Sequence, residues 1–334
     1  MRALLGATAA TAALLLTSAA PAWSADEPKA FTVSDSRIKE SSGLAASRLH
    51  PGVYWTHNDS DDGPYVYAVD SRTGRTVATV TLRGIGKPRD VEAISLGPDG
   101  DVYVGDIGDN LGGAWDHVWI YRFPEPKRLA DQTVTATQFD VRYADGPRNA
   151  EALMVQPKTG RVYIASKKDQ GGALYEGPEK LSTGGVNVFH KVNGVDMEVT
   201  DGAFSPDGTR LVLRAYFGAR MYRWRDGRPK DLGSVGVPLQ VQGESVTFTR
   251  DGRTLMFGSE GEDSEVQPVG LSGDQLPDSA RKAGSGGSPG RSADGSADTV
   301  LGGGHTTAWG GALLLAVVVV LVAGVRRATR RRRH

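Results

Sequence analysis

The stretch Glu92-AISLGPDGDVYVGD-Ile107 reads as two short apolar runs around the turn Pro98-Asp99-Gly100, with acids at both ends. Asp-Gly between apolar runs signals a hairpin, because the left-handed backbone of a tight turn suits glycine. The same grammar returns in Glu151-ALMVQPKTGRVYIAS-Lys167, Asp201-GAFSPDGTRLVLRA-Tyr216 and Glu244-SVTFTRDGRTLMFGS-Glu260. An earlier copy, Gly43-LAASRLHPGVYWTHN-Asp59, lacks the opening acid. The matching positions Tyr54, Tyr103, Tyr163, Val212 and Met256 fall 49, 60, 49 and 44 residues apart. Periods of that length, with about four short strands each, belong to the blades of a β-propeller.

Third strands follow at Tyr65–Asp70, Val118–Phe123 and Met221–Arg225, and fourth strands at Thr76–Arg83, Val134–Arg142 and Val186–Val192. The last repeat runs out after Glu265–Leu271, and Phe31–Ile38 can supply its missing outer strand, closing the ring without an exposed edge. The expected fold is all-β, a propeller of five blades over residues 26–271. The count becomes six if the 60-residue interval hides a degenerate blade. A β-sandwich has similar strand spacing and stands as the alternative.

The two ends carry a different message. Residues 1–24 have one charge, Arg2, then an apolar run and small residues near Ala22-Trp23-Ser24, the pattern of a secretory signal peptide. Residues 272–307 are rich in Gly, Ser and Asp, a composition expected of a flexible stalk. Residues 308–325 are apolar and uncharged, and as a helix would span about 27 Å, close to a hydrocarbon core of about 30 Å. The arginines of the tail 326–334 then place the C-terminus in the cytoplasm. This layout resembles sortase-anchored surface proteins, but no LPxTG-like tag precedes the apolar run, so the helix is expected to stay in the membrane.

Charge follows these compartments. The chain has 39 basic and 39 acidic residues, yet one arginine lies in the leader and six follow the apolar segment, leaving 32 bases against 39 acids, a formal −7, on the exported part. An acidic exterior argues against a nucleic-acid partner. With no cysteine there is no disulfide, no thiolate zinc site and no thiol nucleophile.

In a propeller the first strand of each blade lines the central channel, and the end of the second strand opens on the same rim. The opening acids Glu92, Glu151, Asp201 and Glu244 are therefore expected at one channel mouth, joined by Asp59, Asp106, Asp109 and Asn110 from second-strand ends. Crowded carboxylates must protonate, pair with cations or bind a metal, and an all-oxygen set suits Ca2+ or Mg2+. A purely structural role, with acids holding neighbouring backbones, explains the repetition equally well. Pro88-Arg89 and Pro147-Arg148 precede two of the acids, so Arg89 and Arg148 are candidate counter-ions or anion contacts. His57, beside Asn58 and Asp59, is the candidate for proton transfer. No GxSxG elbow, HExxH helix, phosphate loop or dinucleotide fingerprint is present.

The segments Glu40–Asp70 and Arg89–Leu111 resemble a family of exported, membrane-anchored actinobacterial β-propellers that are largely uncharacterised. The Asp-Gly turns and rim acids are more distantly similar to WD-repeat-like propellers, gluconolactonase/regucalcin-type lactonases and esterase-like phytases. The lactonase resemblance implies a divalent metal held by Glu, Asn and Asp at the mouth, with Glu92, Asn110 and Asp106 as counterparts by position. Two functions are expected from these readings. The first is a cell-surface module binding an extracellular protein, glycan or small molecule. The second is a divalent-metal-dependent hydrolase of lactones, esters or phosphoesters, with the metal as Lewis acid or water activator.

Overall fold

In the computed structural model, which describes residues 27–59 and 62–285, nearly all regular structure is β. A short β1 (Phe31–Thr32) precedes a first unit of β2 (Ser41–Ala46), β3 (Val53–Asn58), β4 (Tyr65–Asp70) and β5 (Arg75–Arg83). The second unit holds β6 (Val91–Leu96), β7 (Asp101–Asp106), β8 (Val118–Pro124) and, after β9 (Gln132–Thr135) on the edge of the first unit, β10 (Thr137–Tyr143). The third uses β11 (Ala150–Val155), β12 (Val162–Glu176) and the first half of β13 (Asn187–Phe204). The second half of β13 opens the fourth, continued by β14 (Arg210–Ala215), β15 (Gly218–Arg225) and β16 (Arg228–Val235). The fifth contains β17 (Gly243–Phe248), β18 (Thr254–Ser259) and β19 (Glu265–Gly270), and helix α1 (Asp278–Ser285) follows.

Each unit is antiparallel and each begins with a hairpin whose turn matches the sequence reading. Between β6 and β7, for example, Gly100 takes φ 84°. β12 doubles back near Gly171, bringing the Gly177 N–H to the Val162 carbonyl at 2.9 Å, so it supplies two strands of its unit. The first strands touch in cyclic order: β2 lies against β6, β6 against β11, β11 against β13, β13 against β17, and β17 against β2. β1 pairs with β19, placing Phe31 opposite Val266, so the N-terminal segment completes the fifth unit as expected. Five units in cyclic contact, each with four antiparallel strands and the first extended by β9, are compatible with the expected propeller. Apolar side chains fill the spaces between units, as in the cluster of Trp55, Val80, Ile94, Tyr121 and Phe123.

Two boundaries move. The expected fourth strand Val134–Arg142 breaks at Ala136: β9 pairs in parallel with β5 of the previous unit, while β10 pairs with β8. The segment read as the start of a flexible stalk at residue 272 instead folds back. Asp278 meets the buried Arg210 at 3.0 Å, the Ser279 N–H donates to Asp207 at 2.8 Å, and Ala280 is buried. Its polar composition concealed a docking made by charge and capping rather than by apolar periodicity. The expected signal peptide, the remainder of the stalk, the transmembrane helix and the basic tail lie outside the described residues. No described helix is long and apolar enough to cross a membrane.

Candidate functional site

Every inner strand starts with an irregularity in its pairing. The register slips between Val91 and Ala93, between Ala150 and Ala152, between Val199 and Asp201, and between Gly243 and Ser245. In the first unit it slips between Ser41 and Leu44. A bulge leaves one residue unpaired and re-aims its side chain. The bulged residues are Glu92, Glu151, Thr200 and Glu244, with Ser42 and Gly43 in the first unit. Three of the four predicted opening acids thus occupy the bulge.

Asp201 does not; it sits one residue later, where Thr200 holds the bulge. Its carboxylate accepts the Gly202 N–H at 2.7 Å and the Val246 N–H of the next inner strand at 2.8 Å. Asp201 is a fully buried latch between units, which corrects its reading as a metal ligand. Periodic alignment of single copies cannot register a one-residue offset, because Val-Thr-Asp and Asp-Val-Glu look alike without backbone pairing.

Asp106 is corrected in the same way. It accepts the N–H groups of Arg89 at 3.0 Å and Asp90 at 2.9 Å, and the Tyr121 hydroxyl at 2.6 Å. Those bonds position Asp90, a residue that sequence reasoning passed over. The carboxylate oxygens of Asp59, Asp90 and Glu92 lie within 4.8 Å of one another. Ser42 donates to Glu92 Oε2 at 3.1 Å and the Asn110 amide donates to Asp90 Oδ2 at 3.0 Å. Asp59 Oδ1 and Glu92 Oε1 are buried and receive no hydrogen bond from a described residue. Gly108 leaves the space these oxygens need: a Cβ there would stand 2.6 Å from Asp90 Oδ2 and 2.8 Å from Glu92 Oε1. Burial first, then the neighbouring Asp90 charge, raises Asp59 to about 9, and burial with Glu151, Asp59 and Asp90 raises Glu92.

The other side of the mouth is built around a cation. Lys167 donates to Glu151 Oε1 at 2.7 Å and to the Tyr216 hydroxyl at 2.6 Å, and its Nζ stands 2.6 Å from Glu151 Oε2. Burial works against its charge, but Glu151, Tyr216 and Glu244 around it raise its pKa. Glu151 is therefore paired rather than free for a metal. Glu244 is buried nearby and raised by burial and by the Glu151 charge. Arg214 donates to the Ser245 carbonyl and to Gln240, each at 2.8 Å.

The remaining predicted residues go elsewhere. Asp109 accepts the Trp115 N–H at 2.7 Å, and its own N–H donates to Asn149. Arg89 is stacked between Trp115 and Trp119, 4.2 and 3.7 Å from their centroids, and donates to the His117 carbonyl. Arg148 packs over Tyr143 and Tyr175 and pairs with Asp145. Neither arginine neutralises the acid it precedes in sequence: Arg89 is tied to the segment before β8, and Arg148 bridges Tyr143 of the second unit and Tyr175 of the third. His57 is buried, with Nδ1 3.1 Å from the Asn58 carbonyl, and burial lowers its pKa to about 4. A neutral, enclosed imidazole of that kind is a core group, not a proton shuttle.

No family model and no curated protein matches this chain. Among solved structures it is similar to a chain in the crystal structure of the mitotic checkpoint complex, at 12% identity and TM-score 0.38, covering 69% of this chain and 63% of that one. It is also similar to Kuenenia stuttgartiensis hydrazine synthase, at 18% identity and TM-score 0.38, covering 66% of this chain and 56% of that one. The match thus spans about three fifths of the length of each.

Proposed function

We propose that the chain is a cell-surface ligand-binding module, a five-bladed propeller held at the membrane by its C-terminal helix, whose binding mouth is organised by a divalent cation. The observation that carries the reading is the convergence of Asp59, Asp90 and Glu92 in a site where two buried oxygens receive no donor. An unpaired buried carboxylate oxygen is costly, and an ion with oxygen ligands removes that cost. Calcium binds oxygens at about 2.3–2.6 Å, so oxygens within 4.8 Å of one another can share it. Asp59, Asp90 and Glu92 would hold the ion, with Asn110 orienting Asp90 through its amide.

The test is metal analysis of the full chain, with melting followed under Ca2+, Mg2+ and EDTA. At a Ca2+ concentration 100 times Kd, binding adds about 2.7 kcal/mol of stability. Asp90→Asn and Glu92→Gln should remove that gain. Absence of bound metal together with an unchanged melting temperature would overturn the cation-organised reading.

The same three carboxylates support a second reading, metal-dependent hydrolysis of a lactone, ester or phosphoester. A bound divalent ion would polarise the scissile oxygen or activate water there. His57 cannot serve as the base from its enclosed position, so that role would fall to a carboxylate of the mouth. Ca2+-dependent turnover of a lactone, ester or phosphoester panel, abolished by Glu92→Gln, would establish this reading over simple binding.

A further inference from the structure

The large apolar side chains most exposed among the described residues are Leu239 (83%), Leu111 (77%), Val241 (67%) and Phe217 (55%). All four belong to loops at one end of the ring. Leu111 and Phe217 follow second strands, and Leu239 and Val241 precede the inner strand β17. That is the end at which the bulges turn their acids into the channel. Apolar side chains so exposed on a folded surface mark an interaction site when they are contiguous.

Three of them are. Arg214 at the end of β14 bonds Gln240, between Leu239 and Val241, and a Cβ on Gly243 would stand 2.5 Å from the Tyr216 carbonyl, next to Phe217. The two loops therefore stand side by side. Their border is acidic: Gln242 donates to Glu260 at 2.6 Å, Glu244 lies beneath, and Glu262 and Asp263 follow on the adjoining loop. A cation held by Asp59, Asp90 and Glu92 would leave one negative charge on that half of the mouth. On the other half Lys167 pairs with Glu151, and the negative border is carried by Glu260 and by the exposed Glu262 and Asp263.

We infer that this rim, Phe217, Leu239 and Val241 beside the acidic mouth, docks a polypeptide segment that presents a lysine or arginine flanked by apolar side chains. The inference rests on the binding-module reading and names its partner class. Charge complementarity selects the occupant. A second copy of the chain meeting this face would set acid against acid, and an anionic lipid surface would be repelled by the same carboxylates. A basic side chain set against the acidic border gains from it, while its apolar neighbours cover the three exposed residues.

Selection of a displayed random heptapeptide library on the full chain tests the inference. The expected result is enrichment of peptides with a central Lys or Arg between apolar residues. Their binding should weaken with salt and fall at least tenfold in a Leu239→Ser/Val241→Ser variant. Those positions are exposed, so the variant should fold. Binding of the same peptides to Asp90→Asn separates the two readings: loss of Ca2+ response with retained peptide binding removes the cation alone. Enrichment of acidic peptides, no enrichment, or binding unchanged in the double variant would overturn the inference.

Discussion

Lys167 Nζ stands 2.6 Å from Glu151 Oε2, an ion pair between two largely buried side chains at the mouth of the ring. Removing one partner of such a pair costs more than the pair itself contributes, because the other charge is left without compensation. Lys167→Met should therefore destabilise the protein by about 3–5 kcal/mol. Lys167→Met/Glu151→Gln should recover part of that loss by removing the orphaned charge. Urea unfolding of the single and double variants measures both. A single variant as stable as the parent would mean that Glu151 protonates without cost.

Asp106 separates an acid that holds the backbone from the acids proposed to hold the cation. Its carboxylate accepts from Arg89, Asp90 and Tyr121, so Asp106→Ala leaves buried donors unpaired. Each such loss costs about 1–3 kcal/mol, and the variant should fall by at least about 3 kcal/mol. Asp106→Asn keeps the shape and an acceptor oxygen, so it should retain a Ca2+-dependent melting shift where Asp90→Asn does not. Equal loss of the metal response in both variants would return Asp106 to the ligand set.

What the sequence revealed follows from what repeats. Hairpin turns, strand spacing and the closure by Phe31 are local or periodic signals, and each was legible in one chain. The shared bulge position of Glu92, Glu151 and Glu244 is legible for the same reason. Asp90 was missed because an acid two residues before Glu92 has no counterpart in the other copies; only its orientation by Asp106 brings it into the cluster. Asp201 was misplaced because the bulge shifts pairing by one residue. Arg89 and Arg148 were misread because an Arg beside an acid in sequence points away from it once Trp115 or Tyr175 offers a ring face. Lys167 drew no attention as a lone lysine at a strand end, although it balances that side of the mouth.

The docked C-terminal segment supplies a pH test. Asp207 accepts the N–H groups of Ser279 and Thr209 and the hydroxyls of Ser205 and Thr209. Burial pushes its pKa up, but those donors win and lower it to about 2. A carboxylate with a depressed folded pKa contributes stability above its unfolded pKa, and that contribution fades as pH falls from 3.8 toward 2. The site is half exposed, so screening leaves about 1 kcal/mol. The difference in melting between the parent and Asp207→Asn at pH 6 should shrink to about a third by pH 2.5, with hydrogen exchange in residues 278–285 faster in the variant at pH 6. A difference independent of pH would show that the Asp207 charge does not fasten the segment.

Ring closure can be tested through one glycine. The N-terminal strand β1 covers the edge of β19 and then runs past the turn at Gly74, whose carbonyl accepts the Ser34 N–H at 2.9 Å. Gly74 has φ 68°, and a Cβ there would stand 1.8 Å from the Thr32 carbonyl. Gly74→Ala must therefore move β1, whereas Gly100→Ala at φ 84° meets open space. The control should cost only the left-handed strain, about 1–2 kcal/mol. Gly74→Ala should cost that strain and also displace Phe31 from its place against Tyr54, Met256 and Val266. Losing a buried phenylalanine costs about 3–5 kcal/mol, so the two variants should differ by several kcal/mol in urea unfolding. The exposed edge of β19 would then offer unpaired N–H and C=O groups, and Gly74→Ala should aggregate with rising concentration while Gly100→Ala stays monodisperse. Equal stability and equal dispersity of the two variants would mean that the ring does not depend on its N-terminal strand.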